Sequence, residues 1–281
     1  MSDKTAFGDR MKALEKRESG RRCLPGLPVC ARIDGKRFSR WTQGLARPYD
    51  PRLSSRMIET TRMLVTETQA CIGYTQSDEI SLVFWDADPD HQTFLDGRIQ
   101  KLTSLLASMA TAWFNAGLRE AIPERADRPA LFDCRVWEVP SRAEAANVLL
   151  WRERDATKNS VSMAAREHYG HGELNRCSAA RMQEMLFAKG VNWNDYPAFF
   201  KRGTFVRRET TERRLSPAER EALPPLHAAR RDPDLVVRRS AVVAMDMPPF
   251  DKVLNREAVV FDGAAPVTAQ PLAAQPSAVT S

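Results

Sequence analysis

No run of apolar residues in this chain approaches the roughly 18 that a membrane-spanning helix needs, and the opening MSDKTAFGDRMKALEKRESGRR lacks the apolar core of a secretion signal. The expected location is the cytoplasm, with no membrane partner. Cysteine is sparse: Cys23, Cys30, Cys71, Cys134 and Cys177 stand apart with no CxxC pair, and an odd count in such a chain argues against a disulfide framework. They read as reduced, mostly buried thiols. Of four histidines, His168 and His171 are three apart, but no matching Cys/His pair accompanies them, so they read as surface residues rather than zinc ligands. No internal repeat is present.

What is there is enough for a folded protein of one large or two small domains: 281 residues, 43% of them hydrophobic. Lys and Arg number 42 against 36 Asp and Glu, a net charge of +6. The basic residues gather late, in the doublets Lys201-Arg202, Arg207-Arg208, Arg213-Arg214, Arg230-Arg231 and Arg238-Arg239. Such doublets suit a polyanion; a solvated arginine-rich surface accounts for them equally well.

Two stretches carry the chemistry. In Val29–Phe38, Val29, Ala31 and Ile33 alternate with Cys30 and Arg32, and the strand runs into Asp34-Gly35, where glycine allows a sharp turn. Lys36, Arg37 and Arg40 follow at once, placing positive charge beside the first carboxylate. In Cys71–Trp85, Ile72 and Tyr74 alternate with small residues, Gln76-Ser77-Asp78-Glu79 interrupts, and Ile80, Leu82 and Phe84 resume a period of two. That is a hairpin with acids at its tip.

Around them the expected order is β-α-β-β-α-β: a helix over Leu53–Ala70, the hairpin, a polar loop Asp86–Asp96 containing Pro89, a helix over Arg98–Leu118 and a strand within Ala130–Val139. A short amphipathic arm through Phe7, Met11 and Leu14 precedes the first strand. The order describes an α+β, ferredoxin-like sheet covered by two helices on one face. Residues 1–140 form the expected core. Residues 141–263 form a helical and basic region packed on it: helices over 143–166 and 178–189, a strand or ribbon over Phe199–Arg208, a capping box at Ser216–Glu219 and a strand over Leu235–Met245. Residues 264–281, poor in charge and rich in Ala, Pro, Ser and Thr, read as a disordered tail.

In this topology the first strand and the hairpin lie side by side, so Asp34 and Asp78 can meet. Two carboxylates brought together repel, and a divalent cation between them relieves the repulsion. The same residues also suit an ordinary turn and an ordinary hairpin loop, so spacing reaches a candidate metal site and stops there.

The residues themselves go further. Arg32-Ile33-Asp34-Gly35-Lys36-Arg37-Phe38 and Tyr74 through Phe84 (YTQSDEISLVF) resemble the two signature motifs of the tRNA-His guanylyltransferase family. The resemblance continues in Phe132-Asp133-Cys134-Arg135 with Pro140-Ser141 and in Lys201-Arg202-Gly203-Thr204, over roughly residues 7–208. It implies a palm-like nucleotidyltransferase that extends RNA in the 3′→5′ direction, with tRNA and nucleoside triphosphates (GTP or ATP) as partners and substrates and a homotetramer as the assembly. Carried over by position, Asp34 and Asp78 would hold two Mg²⁺ ions with the Gly35 carbonyl. Glu79 would be a further catalytic acid, and Lys36, Arg37, Phe38, Ser39, Ser77 and Asn159 would line the nucleotide with them.

One departure matters. Trp151-Arg152-Glu153-Arg154-Asp155 leads into Thr157-Lys158-Asn159-Ser160, where eukaryotic members carry HINNLYN; Asp155 and Asn159 survive, and Thr157 replaces the motif's histidine. This points away from addition of an extra G to tRNA-His and toward the branch that repairs 5′-truncated tRNA by templated addition. A nucleotide cyclase of the same topology is disfavoured by the lack of a GGDEF-like glycine loop, and a non-catalytic tRNA-binding module by the presence of every carboxylate the chemistry needs.

Overall fold

The computed structural model describes residues 5–87, 94–232 and 234–269. Pro89 and its neighbours in the loop after the hairpin, and residues 270–281 of the tail, lie outside the described residues.

Among the described residues six strands form one antiparallel sheet in the order β4-β1-β3-β2-β5-β6, with β1 Val29–Gly35, β2 Ile72–Gln76, β3 Glu79–Phe84, β4 Phe132–Glu138, β5 Thr204–Arg214 and β6 Val236–Ala244. The first four, with α3 (Pro51–Thr68) between β1 and β2 and α4 (Ile99–Ala116) between β3 and β4, follow the expected β-α-β-β-α-β order. Helix α1 (Ala6–Ser19) precedes them, and a single turn, α2 (Phe38–Trp41), follows β1. Helix α3 starts where Asp50 accepts the Arg52 N–H at 3.0 Å, with Pro51 in its first turn. Its inward residues Met57, Leu64 and Val65 meet Leu106, Ala110 and Phe114 of α4 over Val29, Ala31, Ile33, Ile80 and Leu82.

The sheet is covered on its other face as well. After the short α5 (Leu118–Ala121), helix α6 (Arg142–Arg166) lays Ala145, Ala146, Leu149 and Leu150 on Cys30, Ile72, Tyr74 and Val83, together with Phe250, Val253 and α12 (Arg256–Phe261). Strands β2 and β3 are buried on both sides, so a single helical layer would leave half of them wet. The far half of α6 builds a third cluster with α7 (His171–Leu174), α8 (Ala179–Ala188) and α9 (Ala198–Arg202).

Two expectations are corrected. Phe199–Arg208 is not one ribbon: Ala198–Arg202 is helical, because Phe200 is drawn into the cluster with Tyr49 at 4.7 Å, and the strand begins only after Gly203 at φ 78. A side chain at Gly203 would meet the Thr75 carbonyl and the Tyr74 hydroxyl, so the switch needs glycine. Nor is all of 264–281 a loose tail. Leu254 N–H donates to the Val267 carbonyl at 2.8 Å, Val267 N–H to Asn255 Oδ1 at 2.8 Å, and Thr268 bridges Val253. Backbone pairing holds 264–269 although the side chains carry no signal for it. The capping box at Ser216 is present and opens α10 (Pro217–Glu221); α11 (Ala228–Arg231) follows before β6. Among the described residues no helix is long and apolar enough to cross a membrane.

Candidate active site

Strand β1 ends at Asp34-Gly35, and the β2–β3 turn holds Ser77 and Asp78. Asp34 lies opposite Glu79 in the β1–β3 ladder, and the Gly35 N–H donates to the Asp78 carbonyl at 3.1 Å. Adjacent strands thus bring two distant acids together. The approach is close enough to exclude a side chain at position 35, whose Cβ would overlap the Phe38 ring and stand 3.0 Å from the Asp78 Cβ. Ser77 takes φ 50 in the turn, and its hydroxyl donates to Asp78 Oδ1 at 3.1 Å.

Burial, and next the negative charge of Asp34, push the Asp78 carboxyl up to about 6. Among the described residues neither aspartate has an ion pair. Two free carboxylates beside a backbone carbonyl make a hard-oxygen donor set that fits Mg²⁺, which keeps waters and substrate phosphates in its shell and needs few protein ligands. No group of three or more His, Cys, Asp or Glu gathers to hold a metal among the described residues, and this pair is the candidate donor set.

Glu79 is different. Arg152 of α6 donates to both its oxygens, Nε at 2.6 Å and Nη2 at 2.7 Å, and both side chains are buried. Burial raises the Glu79 carboxyl while Arg152, and then Arg32 at 4.0 Å, pull it down. Burial alone would lower Arg152; Glu79 and Asp155 more than reverse it. Both Glu79 oxygens are thus held by Arg152, in contrast to Asp34 and Asp78, which have no ion pair among the described residues.

The Arg152 Nη2 also reaches Asp155 at 3.0 Å, and Asp155 accepts from Asn159 Nδ2 at 3.2 Å. Arg152, Asp155 and Asn159 lie on one face of α6. They line a cavity of about 450 Å³ together with Asp34, Ser77, Asp78 and Glu79 and with Tyr49, Arg166 and Phe200. The stretch Asp155–Ser160 is only partly solvated, with Lys158 and Asn159 exposed. Ala156 and Ser160 are buried, and the Ser160 hydroxyl donates to the Lys201 carbonyl at 3.2 Å.

The remaining expected nucleotide contacts divide. Lys36, Arg37 and Ser39 are exposed where the chain leaves β1 and do not line the cavity; Gly35 is buried beneath it. Phe38 belongs to the core, stacked on Trp41 at 4.9 Å and edge-on to Phe114 at 5.9 Å, so its ring is closed to a ligand. Sequence reading missed Tyr49, Arg152 and Arg166. The signal for Arg152 was its i, i+3, i+7 spacing to Asp155 and Asn159; Tyr49 and Arg166 reach the cavity through tertiary packing and gave none.

The arginine doublets are largely committed to the fold. Arg207 is buried and donates to the Val259 and Ala264 carbonyls at 3.0 and 2.8 Å, Arg213 pairs with Glu219, and Arg214 pairs with Asp234 at 3.2 Å.

Fold and site define a class: an α+β protein that presents an acidic pair at the end of an antiparallel strand, beside a cavity. Comparison with known proteins narrows it. Residues 8–140 match the Thg1 family, tRNAHis guanylyltransferase. The structure is similar to a bacterial tRNA(His) guanylyltransferase (Thg1)-like protein solved in complex with ATP, with a TM-score of 0.74 and 32% identity over 91% of this chain and 99% of that one. It is also similar to such a protein in complex with GTP, with a TM-score of 0.68 and 32% identity over 88% and 95% of the two chains. The chain is 30% identical over 226 residues to an uncharacterized protein of Acanthamoeba polyphaga mimivirus, covering 72% of this chain and 77% of that one. It is 27% identical over 235 residues to the probable tRNA(His) guanylyltransferase of Drosophila melanogaster, covering 77% and 78%. The chain belongs to the tRNAHis guanylyltransferase family and is a nucleotidyltransferase.

Proposed function

We propose that the chain is a Mg²⁺-dependent 3′→5′ nucleotidyltransferase that adds nucleotides to the 5′ end of tRNA, and that its task is templated repair of 5′-truncated tRNA. The observation that carries this reading is the Asp34–Asp78 pair, without a cation partner among the described residues, in the wall of a cavity of about 450 Å³. That volume is in the range of small-ligand sites.

Asp34 and Asp78, with the Gly35 carbonyl, would hold two Mg²⁺ ions, which supply charge neutralisation for the phosphates and acidify the attacking 3′-hydroxyl. The chain's own residues do the rest. Arg166, without an ion pair among the described residues, gives the cavity a free cation for the triphosphate. Arg152 neutralises Glu79, so that only the two aspartates compete for metal. Asp155 orients the Asn159 amide in the same wall. Lys36 and Arg37, outside the cavity, meet phosphates from the solvent side.

ATP and GTP as substrates are supported by the bacterial relatives solved with each. The repair task is supported by the likeness to those Thg1-like proteins and by Thr157 in the place of the motif's histidine. Residence in the cytoplasm and assembly as a homotetramer belong to the same reading; sedimentation of the purified protein tests the second.

The test of function is incubation with Mg²⁺, NTPs and 5′-labelled tRNA lacking its first nucleotide, beside full-length tRNA-His and an Asp78→Ala control. Extension of the truncated tRNA by the template-matched nucleotide, lost in the control, supports repair. Growth of intact tRNA-His alone assigns the extra-G reaction instead, and binding without growth of either RNA leaves a tRNA-binding module.

A further inference from the structure

Trp151 is the residue of α6 that the fold does not explain. Its neighbours Leu149 and Leu150 fill the core, yet its indole is 51% exposed. A large aromatic side chain left half in water beside a working site is uncommon enough to ask what it meets.

Two guanidiniums lie against it. The Arg152 Cζ stands 4.5 Å from the ring centroid and the Arg32 Cζ 5.6 Å. Both arginines also attend the Glu79 carboxylate, so the covered part of the indole is anchored to the strand pair that carries Asp34 and Asp78. Arg32 and Asp34 point to the same face of β1, about 7 Å apart along the strand. The indole therefore sits within one nucleotide's reach of the reacting acids, but it does not line the 450 Å³ cavity.

The surroundings are basic and open. Arg32 lies opposite Arg135 in the β1–β4 ladder, and β4 is the sheet edge. The Asp133 carboxylate nearest Arg135 is 3.9 Å away, with both side chains more than half exposed, and so offsets little of that charge. The Arg32 Nε is buried without a hydrogen-bond partner. An exposed indole backed by Arg32 and Arg152, beside a strip that runs through the exposed Arg135 to an open sheet edge, has the composition of a single-stranded nucleic-acid platform: the ring takes a base face, and Arg135 a phosphate.

We infer that Trp151, backed by Arg32 and Arg152, is a stacking platform for the terminal base of the RNA strand whose 5′ end is presented to Asp34 and Asp78. The inference rests on the RNA-extending reading above. Its role is positioning: the last base is fixed on the indole so that its 5′ phosphate reaches the acidic pair, while the incoming nucleotide occupies the separate cavity.

The test uses a short RNA hairpin with 2-aminopurine as its 5′-terminal base and a dye at the distal loop, bound to the full chain, its Trp151→Phe variant and its Trp151→Ala variant. Melting curves and NTP affinity, both expected to match the parent, show that the variants are folded with the cavity intact. The expected result is that 2-aminopurine emission is quenched on binding to the parent and to Trp151→Phe but not to Trp151→Ala. The dye should report RNA affinity roughly 5- to 100-fold weaker for the alanine variant. RNA that binds with the probe unquenched, or is quenched equally by Trp151→Ala, overturns the platform and leaves the RNA reading standing. Failure of all three proteins to bind RNA overturns both. An alanine variant that keeps the RNA response but sediments differently assigns the indole to contact with a second copy of the chain, and the platform fails.

Discussion

Arg152 closes on both carboxylate oxygens of Glu79, at 2.6 and 2.7 Å, between a helix and a strand that are far apart in sequence. The contact locks α6, which carries Asp155 and Asn159, to the hairpin that carries Asp78. Arg152→Ala leaves a buried carboxylate without its partner and is expected to cost about 3–5 kcal/mol of folding stability. Replacing the pair together, as Glu79→Leu with Arg152→Met, is expected to cost clearly less than the two single changes added. Urea unfolding of the four proteins measures this, and additive losses would show that the pair does not act as a unit.

The acidic pair gives a pH signature. Asp78 is held near 6 in the folded chain against an ordinary value near 3.8, so between those values the folded protein keeps a proton that the unfolded chain has lost. Stability on this account falls as pH rises from about 4 to 6 and stays reduced above. Asp78→Asn removes the penalty: the variant is expected to match the parent at pH 4 and to melt higher than it at pH 8. Mg²⁺ should raise the melting temperature of the parent at pH 8, should do so much less at pH 5 where the proton competes for Asp78, and should do little to the variant. A melting difference independent of pH would dissociate Asp78 from this titration.

Most of the sheet was legible because its strands alternate cleanly and its helices carry apolar residues at helical spacing. The meeting of Asp34 and Asp78 followed from topology alone. What sequence could not show are contacts whose partners come from distant elements. Glu153 carries no sequence signal, yet it is buried, pushed up to about 7 by burial, and accepts the Phe250 N–H at 2.8 Å. Phe38 reads as part of a nucleotide motif and is core, because the single turn α2 folds its ring back onto α4. Arginine doublets read as one surface; the sheet's alternation sends Arg207 and Arg208 to opposite faces and buries Arg207.

Arg207 and Arg238 separate structure from surface within those doublets. Arg207 binds two carbonyls of the C-terminal segment from a buried position, and Arg207→Ala is expected to cost about 3 kcal/mol and to loosen residues 259–264. Arg238 is exposed, 4.0 Å from Glu212, and Arg238→Ala should change stability by no more than about 0.5 kcal/mol. Hydrogen exchange of α12 with denaturant melts of both variants checks this. Equal losses in the two would contradict the division.

Gly35 is the narrowest point of the site. Its N–H bonds the Asp78 carbonyl, and a methyl group in place of its hydrogen would overlap the Phe38 ring and press on the Asp78 Cβ at 3.0 Å. Phe38 is packed against Trp41, Phe114 and Phe132 and has little room to yield. The displacement therefore falls on the hairpin turn, and with it on the spacing between Asp34 and Asp78. Gly35→Ala is expected to cost about 1–3 kcal/mol of stability, as overpacking does, but to lower nucleotidyl transfer by roughly 100-fold or more, since misplacement of reacting groups by about an ångström has that effect. Asp78→Asn provides the comparison: it removes the charge without moving the turn. Isothermal titration with Mg²⁺ and NTP beside single-turnover rates distinguishes them. If Gly35→Ala retains near-parental rates at a temperature where it is fully folded, the close approach of β1 to the hairpin is not what sets the geometry of the acidic pair.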